Sequence, residues 1–176
     1  MKSILLLEDG SSFEGISIGP IKESIGKVIL NTSVVGYQES ITDPANAGKI
    51  LVFTYPLIGN YGVAKKFNES KKCWVSGIVI KENSRIYSNW QAENSFDSFI
   101  KKHNVVTLCD VDTRTLAVHV RDNGEMVGII SNKFSNKNGL IKKLKKYIEE
   151  NENEFIKEIS VKKITKIVEN KRGPDI

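Results

Sequence analysis

Up to about position 130 the apolar residues fall mostly in short β-branched runs, and after position 95 a spacing of three to four residues joins them. Ile4, Leu5, Leu6 and Leu7 form a first run, Asp9-Gly10 follows, and Phe13, Gly15, Ile16 and Ile18 form a second. This predicts a hairpin, with Gly supplying the positive φ that a tight turn needs. The runs at 28–32, 50–54, 74–80, 105–108 and 126–130 have strand length and are bounded by Gly, Pro, Asn or charge, so they predict five further strands.

Helical patterns come later. Ser95 precedes Phe96, Phe99 and Ile100, which share one helix face, and Lys101, Lys102 and His103 sit where the helix dipole favours cations. Asp112 is placed to cap a second helix with Leu116 and Val120 as its apolar stripe and Gly124 as its stop. A third helix is predicted over 138–150, with Leu140, Leu144 and Ile148 on one face and Lys142, Lys143, Lys145 and Lys146 mostly on the other. Beyond 149 the chain turns polar and acidic and runs out through Gly173-Pro174. Strands followed by helix–strand alternation predict one layered α/β domain over 1–150 with its helices against a sheet, and a linker over 151–176.

Composition narrows the setting. The 176 residues are 40% hydrophobic and 27% charged, which suits one well-buried domain, and no apolar run approaches the length of a membrane span. Glu8 and Asp9 interrupt the first apolar run too early for a signal peptide. Cys73 and Cys109 show no paired spacing, which fits a reducing, cytoplasmic location. The net charge of +5 invites a nucleic-acid reading, but 1–136 hold 15 Lys/Arg against 14 Asp/Glu, whereas 137–176 hold 11 against 7. Only Tyr147 and Phe155 interleave with those lysines, so a solvated helix face is expected, with neither nucleic acid nor membrane as partner.

Four separated motifs identify a resemblance. Leu7-Glu8-Asp9-Gly10 with Phe13 and Gly15 comes first, then Asn31-Thr32-Ser33 with Gly36-Tyr37-Gln38-Glu39 and Thr42-Asp43-Pro44. Thr54-Tyr55-Pro56-Leu57-Ile58-Gly59-Asn60 follows, then Asp112-Thr113-Arg114-Thr115-Leu116 with Arg121, Gly124 and Gly128. In this order they resemble the amino-terminal domain of the small chain of glutamine-hydrolysing carbamoyl-phosphate synthase. Phe155-Ile156-Lys157-Glu158-Ile159-Ser160 is similar to the run leading toward that family's amidotransferase half, so about 160 residues are covered.

The resemblance implies a three-layer β/β/α domain of the swivelling type. It also implies two partners: an amidotransferase domain, which hydrolyses glutamine through a Cys nucleophile and a His-x-Glu pair, and a large chain that uses the ammonia with ATP and bicarbonate. A place in pyrimidine or arginine synthesis goes with it. One departure stands out. In the family a Ser commonly follows Thr-Asp-Pro and reaches the glutamine site, whereas here Ala45 follows Asp43-Pro44 and has no hydroxyl.

No catalytic set of the chain's own is legible. A glutaminase Cys needs an elbow of small residues that offers backbone N–H donors to the oxyanion. Cys73 and Cys109 lack flanking glycines and read as half-buried small hydrophobes. Neither His103 nor His119 is followed two residues on by Glu, and neither has evident companion ligands, so no metal site is expected. Gly59-Asn60-Tyr61-Gly62 lacks the Lys and Ser/Thr of a phosphate loop and reads as a turn. Asp112 and Arg114 read as a cap and its ion-paired neighbour rather than an anion site. Tyr37, Gln38 and Glu39 suit either an interface or internal packing.

The expectation is a non-catalytic scaffold, without cofactor and inactive alone, that docks the amidotransferase domain to the large chain. The alternatives are a free-standing binding or regulatory module that kept the fold, and an independent glutaminase.

Overall fold

The computed structural model describes residues 1–133 and 136–150, so the expected linker over 151–176, with its Phe155 to Ser160 motif, lies outside the described residues. Among the described residues nine strands and four α-helices follow one another as β1 (Lys2–Leu7), β2 (Ser12–Ile18), β3 (Ser24–Asn31), α1 (Tyr37–Thr42), β4 (Lys49–Phe53), β5 (Leu57–Ile58), β6 (Gly77–Val79), β7 (Glu82–Asn83), α2 (Phe96–Lys102), β8 (Val106–Cys109), α3 (Thr113–Asn123), β9 (Met126–Ser131) and α4 (Lys137–Glu150). Short 3-10 turns lie at Pro44–Asn46 and Lys65–Phe67.

The fold is mixed α/β, as the pattern predicts, and its main sheet closes into a seven-stranded barrel in the order β1-β2-β8-β6-β4-β3-β9. The β3-β4-β6-β8 wall is parallel, and the remaining pairings are antiparallel. Alternation along the strands explains the near-continuous apolar runs, because both faces are covered. Leu5, Leu7, Val28, Ile50, Val52, Val79, Val106, Leu108 and Ile130 point into one cluster, to which α3 adds Leu116 and Val120. The alternate residues Leu51, Phe53, Ile78 and Ile80 face outward into a second cluster with α1 and α2. Ile4, Leu6 and Ile129 face outward into a third, under Leu140 and Leu144 of α4.

Closure requires backbones to approach where a side chain would not fit. Gly26 pairs with Gly128 across β3 and β9, and a Cβ at Gly26 would lie 2.2 Å from the Gly48 carbonyl oxygen.

Besides the two-residue strands β5 and β7, which no expected run covers, two elements differ from expectation. The strand expected over 74–80 is laddered only at Gly77–Val79, because Trp74 bonds to α1 and to the connection after it: its N–H donates to the Ile41 carbonyl at 3.1 Å, and its carbonyl accepts from Gly48 N–H at 3.0 Å. Helix α1 is not predicted at all. It starts after Gly36 at φ 84° with no side-chain cap, and it is held by burial of Tyr37 and Ile41 rather than by local propensity.

Candidate functional site

The segment that carries the resemblance is anchored through α1. Tyr37 is buried, its hydroxyl donates to the Gly62 carbonyl at 2.5 Å, and its ring stacks on Tyr61 with centroids 4.2 Å apart and meets Phe96 edge-on. Burial, with Tyr61 beside it, pushes the Tyr37 phenol far above its ordinary value. Gln38 is buried too: its Nε2 donates to the Ala64 carbonyl at 2.7 Å and its Oε1 accepts from Ala64 N–H at 3.0 Å, while Nε2 also reaches Asn68. The polar tips of Tyr37 and Gln38 are thus satisfied inside the domain. Glu39 is half-buried, and one carboxylate oxygen is enclosed without a hydrogen-bond partner among the described residues.

Ala45 lies exposed in the turn after α1. Asp43 caps this turn, its carboxylate accepting from Ala45 N–H at 2.8 Å, and the Ala45 carbonyl accepts from Lys49 Nζ at 2.8 Å. With no hydroxyl and both backbone groups engaged, the position offers a ligand little hydrogen-bonding capacity.

Asn60 sits in the turn closed by Gly62 N–H to the Gly59 carbonyl at 3.0 Å, and the Asn60 carbonyl accepts from Ser88 N–H at 3.1 Å. Asp112 caps α3 by accepting from Thr115 N–H at 3.0 Å and from the Thr115 hydroxyl at 2.7 Å, and these bonds hold its carboxyl below the usual range. The exposed Arg114 guanidinium forms no ion pair among the described residues, so the pairing expected for it is not seen. These positions do not converge. Tyr37, Gln38, Glu39, Asp43, Ala45 and Asn60 gather around α1, whereas Asp112 and Arg114 start the helix at the barrel end.

The thiols are poorly disposed for nucleophilic work. Burial pushes Cys73 up to about 12 and also raises Cys109, whose Sγ donates to the Lys81 carbonyl at 3.7 Å. His103 is pushed down by burial and by Lys102. It lines a cleft of about 410 Å³ with Gln38, Val63, Lys71, Phe99 and Lys102.

Three arrangements escape sequence reasoning. The Tyr61 hydroxyl accepts both Gly36 N–H at 2.7 Å and Tyr37 N–H at 3.2 Å, a contact across 24 and 25 residues that no local pattern announces. His119 Nε2 meets Asp9 at 2.7 Å, so the partner not evident in the sequence lies in the first hairpin. The loop bearing Ile86, Tyr87 and Trp90 is exposed, and its signal was large apolar residues among Ser and Asn without helix or strand period.

Comparison with known proteins gives these features a context. The family model for the carbamoyl-phosphate synthase small chain, CPSase domain, matches residues 5–130. The carbamoyl phosphate synthase small chain of Lawsonia intracellularis is 47% identical over 146 residues, covering 83% of this chain and 39% of the relative. That of Aquifex aeolicus is 43% identical over 162 residues, covering 92% and 44%. That of Caldanaerobacter subterraneus is 48% identical over 131 residues, covering 74% and 37%. A solved aminopeptidase from Aneurinibacillus overlaps 73% of this chain and 30% of its own at TM-score 0.40 and 15% identity, too loosely to define the fold. The chain spans about two fifths of the length of these curated relatives. By the match over residues 5–130, it belongs to the carbamoyl-phosphate synthase small chain family, through the CPSase domain.

Proposed function

We propose that this chain is the non-catalytic amino-terminal scaffold of a glutamine-hydrolysing carbamoyl-phosphate synthase small chain. It docks an amidotransferase domain to a large chain that makes carbamoyl phosphate from ammonia, bicarbonate and ATP. The observation that carries this reading is the family match over residues 5–130 in a chain spanning about two fifths of its relatives.

The chemistry of the described residues supports it. Both thiols are held up by burial, and neither lies beside a histidine in the hydrogen bonds found. Polar groups of the resembling motif serve internal bonds, as expected of a scaffold whose task is shape. The three-layer β/β/α swivelling-type description goes with this reading. So do a cytoplasmic location, which two free thiols suit, and a linker over 151–176 leading toward the amidotransferase domain. The scaffold requires no cofactor of its own. Ala45 marks the edge nearest glutamine, where this chain contributes shape rather than a hydrogen bond.

The test is association. Mixing the chain with a cognate large chain and an amidotransferase domain gives a co-eluting complex on gel filtration; no association at micromolar concentration would sink the reading.

A further inference from the structure

We propose that the cleft beside α2 binds a small organic phosphate, with Lys65, Lys71 and Lys102 taking the phosphate and Val63 and Phe99 taking the ligand's apolar part. The site does not depend on the docking reading above.

The cleft measures about 410 Å³, within the range of small-molecule sites, and its floor is preformed. Val63, Ala64 and Phe99 are buried there, and the buried Gln38 amide fixes the floor by bonding both the N–H and the carbonyl of Ala64.

The rest of the lining is rich in donors and poor in acceptors. Lys65 opens the 3-10 turn after Ala64, Lys71 follows that turn, and Lys102 closes α2. All three are exposed and form no ion pair among the described residues, although Lys101, beside Lys102, pairs with Asp97. Asn68 adds an amide whose Oδ1 accepts from Gln38, so its Nδ2 is left as a donor without a hydrogen-bond partner among the described residues. Against these donors Glu93 is the one carboxylate lining the cleft among the described residues. Like charges that nothing neutralises, gathered around a concave and partly apolar surface, raise the local potential and favour an anion.

The kind of donor selects the anion. Ammonium groups are compact point charges that can meet a tetrahedral dianion from several sides, whereas flat, two-pronged recognition of a carboxylate suits an Arg fork, and among the described residues no Arg lines the cleft. Glu93 disfavours a second anionic group, so one phosphate fits better than several. Inorganic phosphate would leave the apolar floor bare. The half-buried His103 ring, tilted against Phe99 with centroids 4.5 Å apart, extends that floor toward a flat, ring-shaped ligand body.

The test titrates the full 176-residue chain with phenyl phosphate, inorganic phosphate and benzoate, following the imidazole proton signals by NMR. The chain has two histidines: His103 lines the cleft and reports the site, whereas His119 sits against Asp9 and serves as the control. Phenyl phosphate is expected to shift His103 alone, saturably, and to bind at least about tenfold more tightly than either of the other two probes. Lys71→Gln/Lys102→Gln weakens that binding at least about tenfold at low salt with an unchanged thermal midpoint. Lys72→Gln/Lys101→Gln removes two charges from neighbouring positions that do not line the cleft, and leaves binding unchanged. No movement of His103 with phenyl phosphate up to about 10 mM overturns the site. Equally tight inorganic phosphate overturns the organic ligand, and equally tight benzoate overturns the phosphate. Equal weakening by the two double variants is diffuse attraction, and it overturns the assigned lysines.

Discussion

Tyr61 and Tyr37 form one unit although 24 residues separate them: their rings stack with centroids 4.2 Å apart, and the Tyr61 hydroxyl accepts Tyr37 N–H at 3.2 Å and Gly36 N–H at 2.7 Å. These are donors at the start of α1 that have no intrahelical partner, and Gly36 offers no side chain to cap them. Tyr61→Phe keeps the stacked ring and removes the acceptor. It is expected to cost about 1–3 kcal/mol, read from urea unfolding with an unchanged slope. A cost near zero would mean that water replaces the hydroxyl.

Gly26 sets the closure of the barrel. A Cβ there would lie 2.2 Å from the Gly48 carbonyl oxygen, a backbone atom that cannot swing away. Gly26→Ala is expected to destabilise by about 1–3 kcal/mol as β3 is pushed from its neighbour. The Gly124→Ala control, with open space but φ 89°, is expected to lose stability through backbone strain rather than through a clash.

Asp112 separates a cap from an anion site. Because Asn also accepts the N–H of a first helical turn, Asp112→Asn retains most of the stability of α3, whereas Asp112→Ala lowers the thermal midpoint by about 2–4 °C. Equal losses for both variants would show that the charge, not the cap, matters.

Acid releases α4. Glu23 accepts from Lys143 of α4 and pairs with Lys133 at 3.2 Å, and the Lys143 bond holds its carboxyl below the ordinary value of 4.5. A carboxyl depressed in the folded state stabilises above its unfolded value, and that contribution fades as pH falls through the folded one. The wild type should therefore exceed Glu23→Gln by about 0.5 kcal/mol at neutral pH, a solvent-screened pair, with the gap closing below 4.5. A gap independent of pH would contradict the ion-pair origin.

Local chemistry made much of this fold legible in the sequence. The Asp9-Gly10 hairpin, the Ser95 and Asp112 caps and the Gly124 stop each depend on residues within a few positions of one another, and all occur as expected. What could not be read locally depends on distant partners. Helix α1 is fixed by Tyr61 and Ala64, the 74–76 segment by Ile41 and Lys49, and His119 by Asp9. Closure of the sheet likewise depends on glycines meeting across β3 and β9. At the candidate site the sequence suits Tyr37 and Gln38 to an interface or to packing; their polar tips make internal bonds, while the exposed apolar residues lie at 34–35 and 86–90.

The scaffold reading is tested most directly by the coupling of glutamine to synthesis. Carbamoyl phosphate production is measured for a cognate large chain with an amidotransferase domain, with and without this chain, using glutamine and then free ammonia as nitrogen source. The account predicts that the chain raises the glutamine-dependent rate and leaves the ammonia-dependent rate unchanged. An unchanged glutamine-dependent rate, or glutamine hydrolysis by this chain alone, would contradict it.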